Sequence, residues 1–260
     1  MRLALDHTFI TAPVVHPFVA GWEEAPTDLD VSASAGLTGR AIGADGYGLI
    51  PLPEYAWLQE THQIIPDVAV VSGNSGMVAM RCPVRPDGIG ITPVRLIDID
   101  GAGEILARAT LRAFYGIHAS SWLRSDDEPA EVVIVSGPMA VELPEAGFSE
   151  DLCRAWVILT GSRAVDHVLV APKDADRATV APVVEFLKGL VATGHERRRE
   201  LRREISEPYG LDRDRLAEVQ NAYTFELDVD DQRSAQLLLQ RGIPGSVYPT
   251  VGSITFMGRS

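Results

Sequence analysis

His167 and the aspartate before it are candidates for chemistry, because they interrupt an apolar, strand-like run from Val165 to Ala171. An imidazole can donate or accept a proton near neutral pH, and an adjacent carboxylate can fix its orientation. His167 is therefore a candidate for orienting a ligand or for general acid–base catalysis. The alternative, which we favour, is a structural histidine bonded to Asp166 or to backbone. The six histidines form no H-E-x-x-H or similar pair, so no metal site is predicted.

Two glycine-rich segments could hold a ligand with backbone N–H groups. One contains Asn74 and Ser75 and lies between two apolar runs, so a plain turn is the equal alternative. The other, Gly101-Ala102-Gly103, follows a predicted strand and begins a predicted helix, where N–H groups can receive an anionic ligand group. It lacks the third glycine of a dinucleotide fingerprint, and Asp98 and Asp100 would repel a pyrophosphate. Asp100 is more simply interpreted as a helix cap.

The charge balance limits the partners of the chain. Its 260 residues include 23 Lys and Arg against 36 Asp and Glu, a net charge of −13. Such a surface repels phosphate backbones and anionic lipid, so neither nucleic acid nor membrane is an expected partner. No apolar run reaches the roughly 18–20 residues of a membrane span, and no secretory signal is recognised, so a cytoplasmic location is expected. Cys82 and Cys153 are predicted to be buried free thiols.

Strands alternate with helices along the chain, a pattern typical of an α/β protein with largely parallel sheets. Strands are predicted at 1–5, 47–52, 68–71, 77–80, 94–100, 131–135 and 165–171, with helices at 104–115 and 152–160. From Val180 to Val191 apolar residues recur at helical spacing, so the last third is helical. Alternating charges from His195 to Glu204 indicate a solvated helix face. This helical third is expected to pack on the first sheet, giving two lobes joined by two crossing strands.

Short motifs spread over the whole chain match those of one known family in order. Asp151–Trp156 with Thr160-Gly161 is close to the pattern D-L-x-x-x-W-x-x-x-T-G. Tyr47–Tyr55 is similar to D-x-x-L-V-P-S-x-E-Y, and Arg2–Pro13 is similar to R-x-G-x-x-x-Y-L-N-x-x-P. The chain thereby resembles the menaquinone-biosynthesis proteins of the futalosine route, which include chorismate dehydratase and dihydroxynaphthoate synthase. That family has a type 2 periplasmic-binding-protein-like fold.

The chain departs from this family at the positions where the family holds its ligand. Ile10 stands in place of an asparagine, Met77 of a serine and Gly137 of an aspartate. Gly101–Ile105 replaces a polar S-x-x-T-S run and brings in Glu104. Dehydration of a dicarboxylate needs anion-binding hydroxyls and a polar group at the eliminating centre. These departures favour a non-catalytic or re-specialised solute-binding protein on the same scaffold.

The resemblance implies a two-lobed α/β fold with mixed sheets and an interlobe cleft. Lobe I comprises residues 1–77 and 171–260, and lobe II residues 78–170, with hinges near 76–80 and 166–171. The cleft is expected to bind a small molecule, an aromatic or enolpyruvyl carboxylate, without cofactor or metal. If the chain is an enzyme, the resemblance implies a carbon–oxygen lyase that converts chorismate to 3-enolpyruvylbenzoate by loss of water. No residue is identified as the catalytic base. The sequence does not indicate the oligomeric state. The residues expected to face the cleft are Thr8, Thr11, Asn74, Ser75, Gly103, Ser136 and His167.

Overall fold

The computed structural model describes residues 1–124, 129–142 and 146–258. Its strands are β1 (Arg2–Asp6), β2 (Asp30–Ser34), β3 (Tyr47–Pro51), β4 (His62–Ser72), β5 (Val78–Cys82), β6 (Ile91–Ile97), β7 (His118–Leu123), β8 (Val132–Ser136), β9 (Phe148–Asp151), β10 (Ala164–Pro172) and β11 (Tyr223–Thr224). Its helices are α1 (Ala12–Val19), α2 (Gly101–Thr110), α3 (Pro138–Val141), α4 (Leu152–Thr160), α5 (Arg177–Glu196), α6 (Arg198–Ser206), α7 (Arg213–Asn221) and α8 (Val229–Gly242).

The first sheet has the strand order β11-β4-β10-β3-β1-β2. β1 is parallel to both β2 and β3, whereas β10 runs antiparallel to β3 and β4. Every residue of β10 is buried, because the sheet is covered on both faces. Val168 and Val170 pack into one core, which includes apolar residues of α8, while Leu169 and Ala171 pack into another with α5. The consecutive apolar residues from Val168 to Ala171 therefore reflect a strand buried on both faces.

The second sheet has the order β7-β6-β8-β5-β9 and forms the second lobe with α2, α3 and α4. β6 is parallel to β7 and β8, and β5 is antiparallel to β8 and β9. The structure thus has two lobes with one mixed sheet each, the architecture that the sequence predicts. One boundary differs from the prediction. Because β10 pairs with β4 from Ala164 onward and with β3 from His167, the chain has already returned to the first sheet there, and the predicted boundary at residue 170 falls inside this strand.

Cys82 and Cys153 are both free and buried, as predicted. Burial raises the pKa of the Cys153 thiol well above its ordinary value, so this group stays protonated at neutral pH. In the parts of the chain that the structure describes, no helix combines the length and the apolarity needed to cross a bilayer.

Helices α2 and α8 pack closely because α8 ends in a glycine. A Cβ atom on Gly242 would lie 2.3 Å from the carbonyl oxygen of Ile105 and 2.6 Å from its Cβ. We expect Gly242→Ala to lower the free energy of unfolding by about 2–3 kcal/mol, since the backbone of α2 cannot yield locally. Denaturation by urea measures this loss. The matched control is Gly189→Ala in α5, because a Cβ atom there would meet nothing within 4 Å. This variant is expected to raise the free energy of unfolding by about 0.5–1 kcal/mol. Equal stability of the two variants would contradict the close approach.

Candidate functional site

A cavity of about 650 Å³ lies between the two lobes. This volume falls within the roughly 300–1,000 Å³ of small-molecule sites. Its walls follow the carboxyl ends of parallel strands in both sheets, the usual place for a ligand in open α/β sheets. The first lobe contributes His7, Thr8, Phe9, Ile10, Ala12, His16, Ala35, Glu204, Ile205, Pro208 and Tyr209. The second lobe contributes Asp98, Asp100, Ser136, Gly137, Pro138, Met139 and Glu142.

A buried charge cluster lies next to this cavity in the first sheet. The His167 Nε2 atom lies 2.9 Å from the Asp6 Oδ2 atom, and its Nδ1 atom lies 2.6 Å from the Asp166 Oδ1 atom. The imidazole is wholly buried. Burial by itself would lower the pKa of His167, but the bonds with Asp166 and Asp6 and the charge of Asp100 outweigh it and raise this pKa to about 10. His167 is therefore an imidazolium held between two carboxylates at neutral pH.

Asp100 connects this cluster to the cavity. Its carboxylate caps α2 by accepting a hydrogen bond from the backbone N–H of Gly103 at 2.8 Å, and the same residue lines the cavity. Burial, followed by the negative charge of Asp166, raises the pKa of Asp100 to about 7, while His167 and the Gly103 N–H act in the opposite direction. This carboxyl can gain or lose a proton near neutral pH, which suits it to proton transfer or to binding a charged group.

Three of these groups could in principle hold a metal ion. Asp100, Asp166 and His167 each bring one ligand atom within 4.8 Å of the others. Both nitrogens of the His167 ring, however, are already bonded to carboxylates. A metal would have to displace a ring proton and one of these carboxylates. The arrangement therefore fits a hydrogen-bonded charge cluster better than a metal centre.

The turn after β1 explains why two threonines that look equivalent in sequence differ in placement. The Thr11 hydroxyl donates to the carbonyl oxygen of Asp6 at 2.6 Å and accepts from the backbone N–H of Thr8 at 2.9 Å. These bonds close the turn and leave Thr11 fully buried. Thr8 is only partly buried and lines the cavity. Thr11 therefore shapes the wall that Thr8, Phe9 and Ile10 present.

The segment with Asn74 and Ser75 lies at the crossover between the two lobes rather than along the cavity. The backbone N–H of Gly76 donates to the Asp151 carboxylate at 2.9 Å, in the second lobe. The next N–H, of Met77, donates to the Tyr223 hydroxyl at 3.1 Å, in the first lobe. The segment is therefore a connection tied to both lobes, and the hinge near residues 76–80 stays a prediction.

Of the seven residues predicted to face the cleft, Thr8 and Ser136 line the cavity. The Ser136 hydroxyl also donates to the carbonyl oxygen of Asp98 at 2.6 Å. The structure does not place the other five in the lining: Thr11, Asn74, Ser75, Gly103 and His167. Thr11 and His167 are buried in hydrogen bonds, and Gly103 lies within α2. The described lining of the cavity does not include these five residues, and the ligand-binding role of all seven stays a prediction.

The positions that depart from the family pattern also differ in whether they line the cavity. Ile10 and Gly137 line the cavity, so an apolar side chain and a glycine occupy the places of two polar ligand-binding groups. Met77 is buried and lies outside the lining. Glu104 does not face the cavity either. It is buried and paired with Arg108 at 2.8 Å and with Arg124.

The helix interpreted from its charges as a solvated face also contributes to the cavity. Arg197 and Glu200 form the expected ion pair at 2.7 Å. Glu204 and Ile205 of the same helix, α6, nevertheless line the cavity. Tyr209, just beyond α6, packs edge to face against Phe9 with ring centroids 5.8 Å apart. The alternating charges in the sequence indicate the exposed face of this helix but not the face that lines the cavity.

Comparison with known proteins shows the fold. No family model matches the chain, and no curated protein matches it significantly in sequence. Protein AF1704 from Archaeoglobus fulgidus superposes with a TM-score of 0.70 at 14% identity, covering 94% of this chain and 96% of its own. The periplasmic aliphatic sulphonate binding protein SsuA from Escherichia coli gives a TM-score of 0.62 at 11% identity, with coverages of 95% and 94%.

The Candida albicans CA3427 gene product, described as exhibiting the generic periplasmic binding protein structural fold, gives a TM-score of 0.54 at 11% identity. It covers 100% of this chain and 98% of its own length. The chain therefore has a two-lobed periplasmic-binding-protein-like fold, as predicted. At these identities the likeness concerns the fold alone.

Proposed function

We propose that the chain is a small-molecule-binding protein that holds its ligand between its two lobes. The observation that carries this proposal is the cavity of about 650 Å³, whose walls come from both lobes. A ligand that contacts both walls stabilises the closed arrangement, and the crossover near Gly76 supplies the hinge. The fold supports the proposal, since SsuA of Escherichia coli is a binding protein for aliphatic sulphonates. A cytoplasmic location remains part of this proposal.

The non-catalytic alternative fits the cavity better than chorismate dehydratase does. Chorismate carries two carboxylates, yet the described residues that line the cavity include no Lys or Arg. Four lining residues are themselves acids: Asp98, Asp100, Glu142 and Glu204. Ile10 and Gly137 offer no side-chain hydrogen bond to a substrate. The feature that favours a lyase is Asp100, whose pKa of about 7 suits proton donation to a leaving hydroxyl.

Incubation with chorismate separates these two functions. We expect purified protein at high concentration to leave chorismate unchanged over hours, because the cavity repels dianions. Liquid chromatography with mass detection follows both chorismate and enolpyruvylbenzoate. Formation of enolpyruvylbenzoate over several turnovers, abolished by Asp100→Asn, would show that the chain is a dehydratase.

A substitution that fills the cavity tests binding itself. Ala35 is exposed and lines the cavity, so Ala35→Trp is expected to fill its mouth without disturbing the core. Ligands that raise the melting temperature of the parent protein in a metabolite screen should lose their effect in this variant. Ala44→Trp is the matched control, because Ala44 is exposed in a loop outside the cavity. A ligand that stabilises all three proteins equally binds elsewhere, and its behaviour would contradict the proposed site.

A further inference from the structure

The acids of the cavity set the charge of the ligand that it can accept. Asp98 and Glu142 are exposed to the cavity, and within the described residues neither side chain forms an ion pair. Glu204 is paired with His16 at 2.8 Å. The other histidine, His7, has a pKa lowered by burial and then by the charge of His16, so it is neutral at neutral pH. Among the described lining residues, no permanent cation therefore balances the two free acids.

The cluster behind the cavity adds to this excess. Asp6, Asp166 and Asp100 bring three carboxyl groups together, and the single imidazolium of His167 balances only one. Burial and then the charge of Asp166 oppose ionisation of Asp100 and raise its pKa. A positive charge placed in the cavity beside Asp100 would relieve this repulsion. An anion there would increase it.

The remaining wall suits the apolar part of an organic cation. Phe9 and Tyr209 form an edge-to-face pair that lines the first-lobe side of the cavity. Aromatic rings bind apolar groups, and their faces also attract ammonium groups. Ile10 and Met139 extend the apolar lining. The cavity thus has three of its four acids on the second-lobe side and an aromatic pair on the first-lobe side.

We propose that the interlobe cavity binds an organic amine in its ammonium form, with the cationic group beside Asp98 and Asp100 and the apolar group against Phe9 and Tyr209. This inference rests on the proposed small-molecule-binding function and names the ligand class of that site. It replaces the carboxylate expected from the family resemblance.

Three probes of similar size and different charge test the inference: 2-phenylethylamine, 2-phenylethanol and 3-phenylpropionate. Isothermal titration calorimetry should detect binding of the amine, weaker binding of the alcohol and none of the carboxylate. At pH 8, where Asp100 is ionised, Asp100→Asn removes one charge but keeps the helix cap, since asparagine caps as well as aspartate. We expect it to weaken amine binding at least tenfold. Asp87→Asn is the control, because it removes an equal charge from an exposed turn outside the cavity.

The pH dependence gives a second measurement on the parent protein. The groups that face Asp100 are Asp6 of β1, Asp166 and His167 of β10, and Tyr248 of the C-terminal segment. His167 keeps its charge up to about pH 10, so within this cluster Asp100 is the group that changes charge near pH 7. Amine affinity should therefore fall about tenfold from pH 8 to pH 6, in proportion to the ionised fraction of a group with a pKa near 7. This dependence should vanish in Asp100→Asn.

The outcomes distinguish the two proposals. Binding of the carboxylate or of the alcohol with no preference for the amine overturns the ligand class and leaves the binding function intact. Absence of binding by all three probes, together with a metabolite screen in which no compound raises the melting temperature, overturns both. If Asp100→Asn fails to fold, Asp98→Asn takes its place: asparagine tolerates the left-handed backbone of this residue (φ 48°). An unchanged amine affinity in Asp98→Asn would then count against the inference.

Discussion

Replacing His167 by asparagine is expected to lower the free energy of unfolding at pH 7 by about 3–5 kcal/mol, the usual cost of removing one partner from a buried ion pair. The variant leaves Asp6 and Asp166 buried without the imidazolium that both now contact. A domain of this kind has roughly 5–15 kcal/mol of stability, so the loss is a large part of the total. Urea denaturation followed by circular dichroism measures it.

The pH dependence identifies the charge as the cause. The pKa of His167 is raised from 6.5 in the unfolded chain to about 10, so its stabilising contribution is complete below pH 6.5 and is lost as the pH rises through 10. Asp100 also has a raised pKa, but its contribution is lost by about pH 7. Between pH 8 and 10 the stability of the parent protein should therefore decline more steeply than that of His167→Asn, in which buried thiols with raised pKa values, such as Cys153, account for the remaining decline.

Two further variants complete this experiment. His118→Asn makes the same substitution at an exposed position of β7 and should change stability by less than about 0.5 kcal/mol. Adding Asp166→Asn to His167→Asn removes one of the stranded charges and should recover part of the loss. If the double variant is no more stable than His167→Asn, the loss arises from packing rather than from unpaired carboxylates.

The sequence predicted the elements whose patterns are local. The strand at 165–171, the helix at 152–160 and the helical stripe from Val180 to Val191 all appear close to their predicted bounds. The two-lobed arrangement also followed from the order of strands and helices along the chain. The short strands β2 and β9 were missed, because their residues are polar and only partly buried, so they carry no clear alternation.

The site could be predicted only in part, because it depends on contacts far apart in sequence. His167 and Asp166 were recognised as unusual, since polar residues interrupt an apolar strand. Their partner Asp6 lies 161 residues from His167, and no local pattern links the two. Asp100 was correctly interpreted as a helix cap. Asp100 also lines the cavity, because the two sheets face each other there. Spacing along the chain does not show which ends of the two sheets face each other.

The glycine-rich segment with Asn74 and Ser75 has a pattern that fits either a ligand loop or a close contact in the fold. Its small residues suggested a ligand loop, with a plain turn as the alternative. In the structure the need for small residues comes from the second lobe: a Cβ on Gly76 would lie 2.1 Å from the Cys153 Sγ atom and 2.7 Å from the Cys153 Cβ. The sulfur can rotate away, but the Cβ is fixed by α4. Gly76 is therefore required for the crossover to pass beside this helix.

Gly76→Ala is accordingly expected to cost about 3 kcal/mol of stability, at the upper end of overpacking effects. To avoid Cys153, the crossover must move away from Asp151, which breaks the hydrogen bond from the Gly76 N–H and changes the angle between the lobes. Urea denaturation measures the first effect and small-angle scattering the second.

Gly90→Ala is the control, since Gly90 is exposed and a Cβ atom there would meet nothing within 4 Å, and it should leave both measurements unchanged. Cys153→Gly removes the two atoms that a Cβ on Gly76 would meet. Combined with Gly76→Ala, it should give a protein more stable than the sum of the two single losses predicts, because the overlap no longer exists. Strict additivity of the two losses would show that Cys153 does not constrain the crossover.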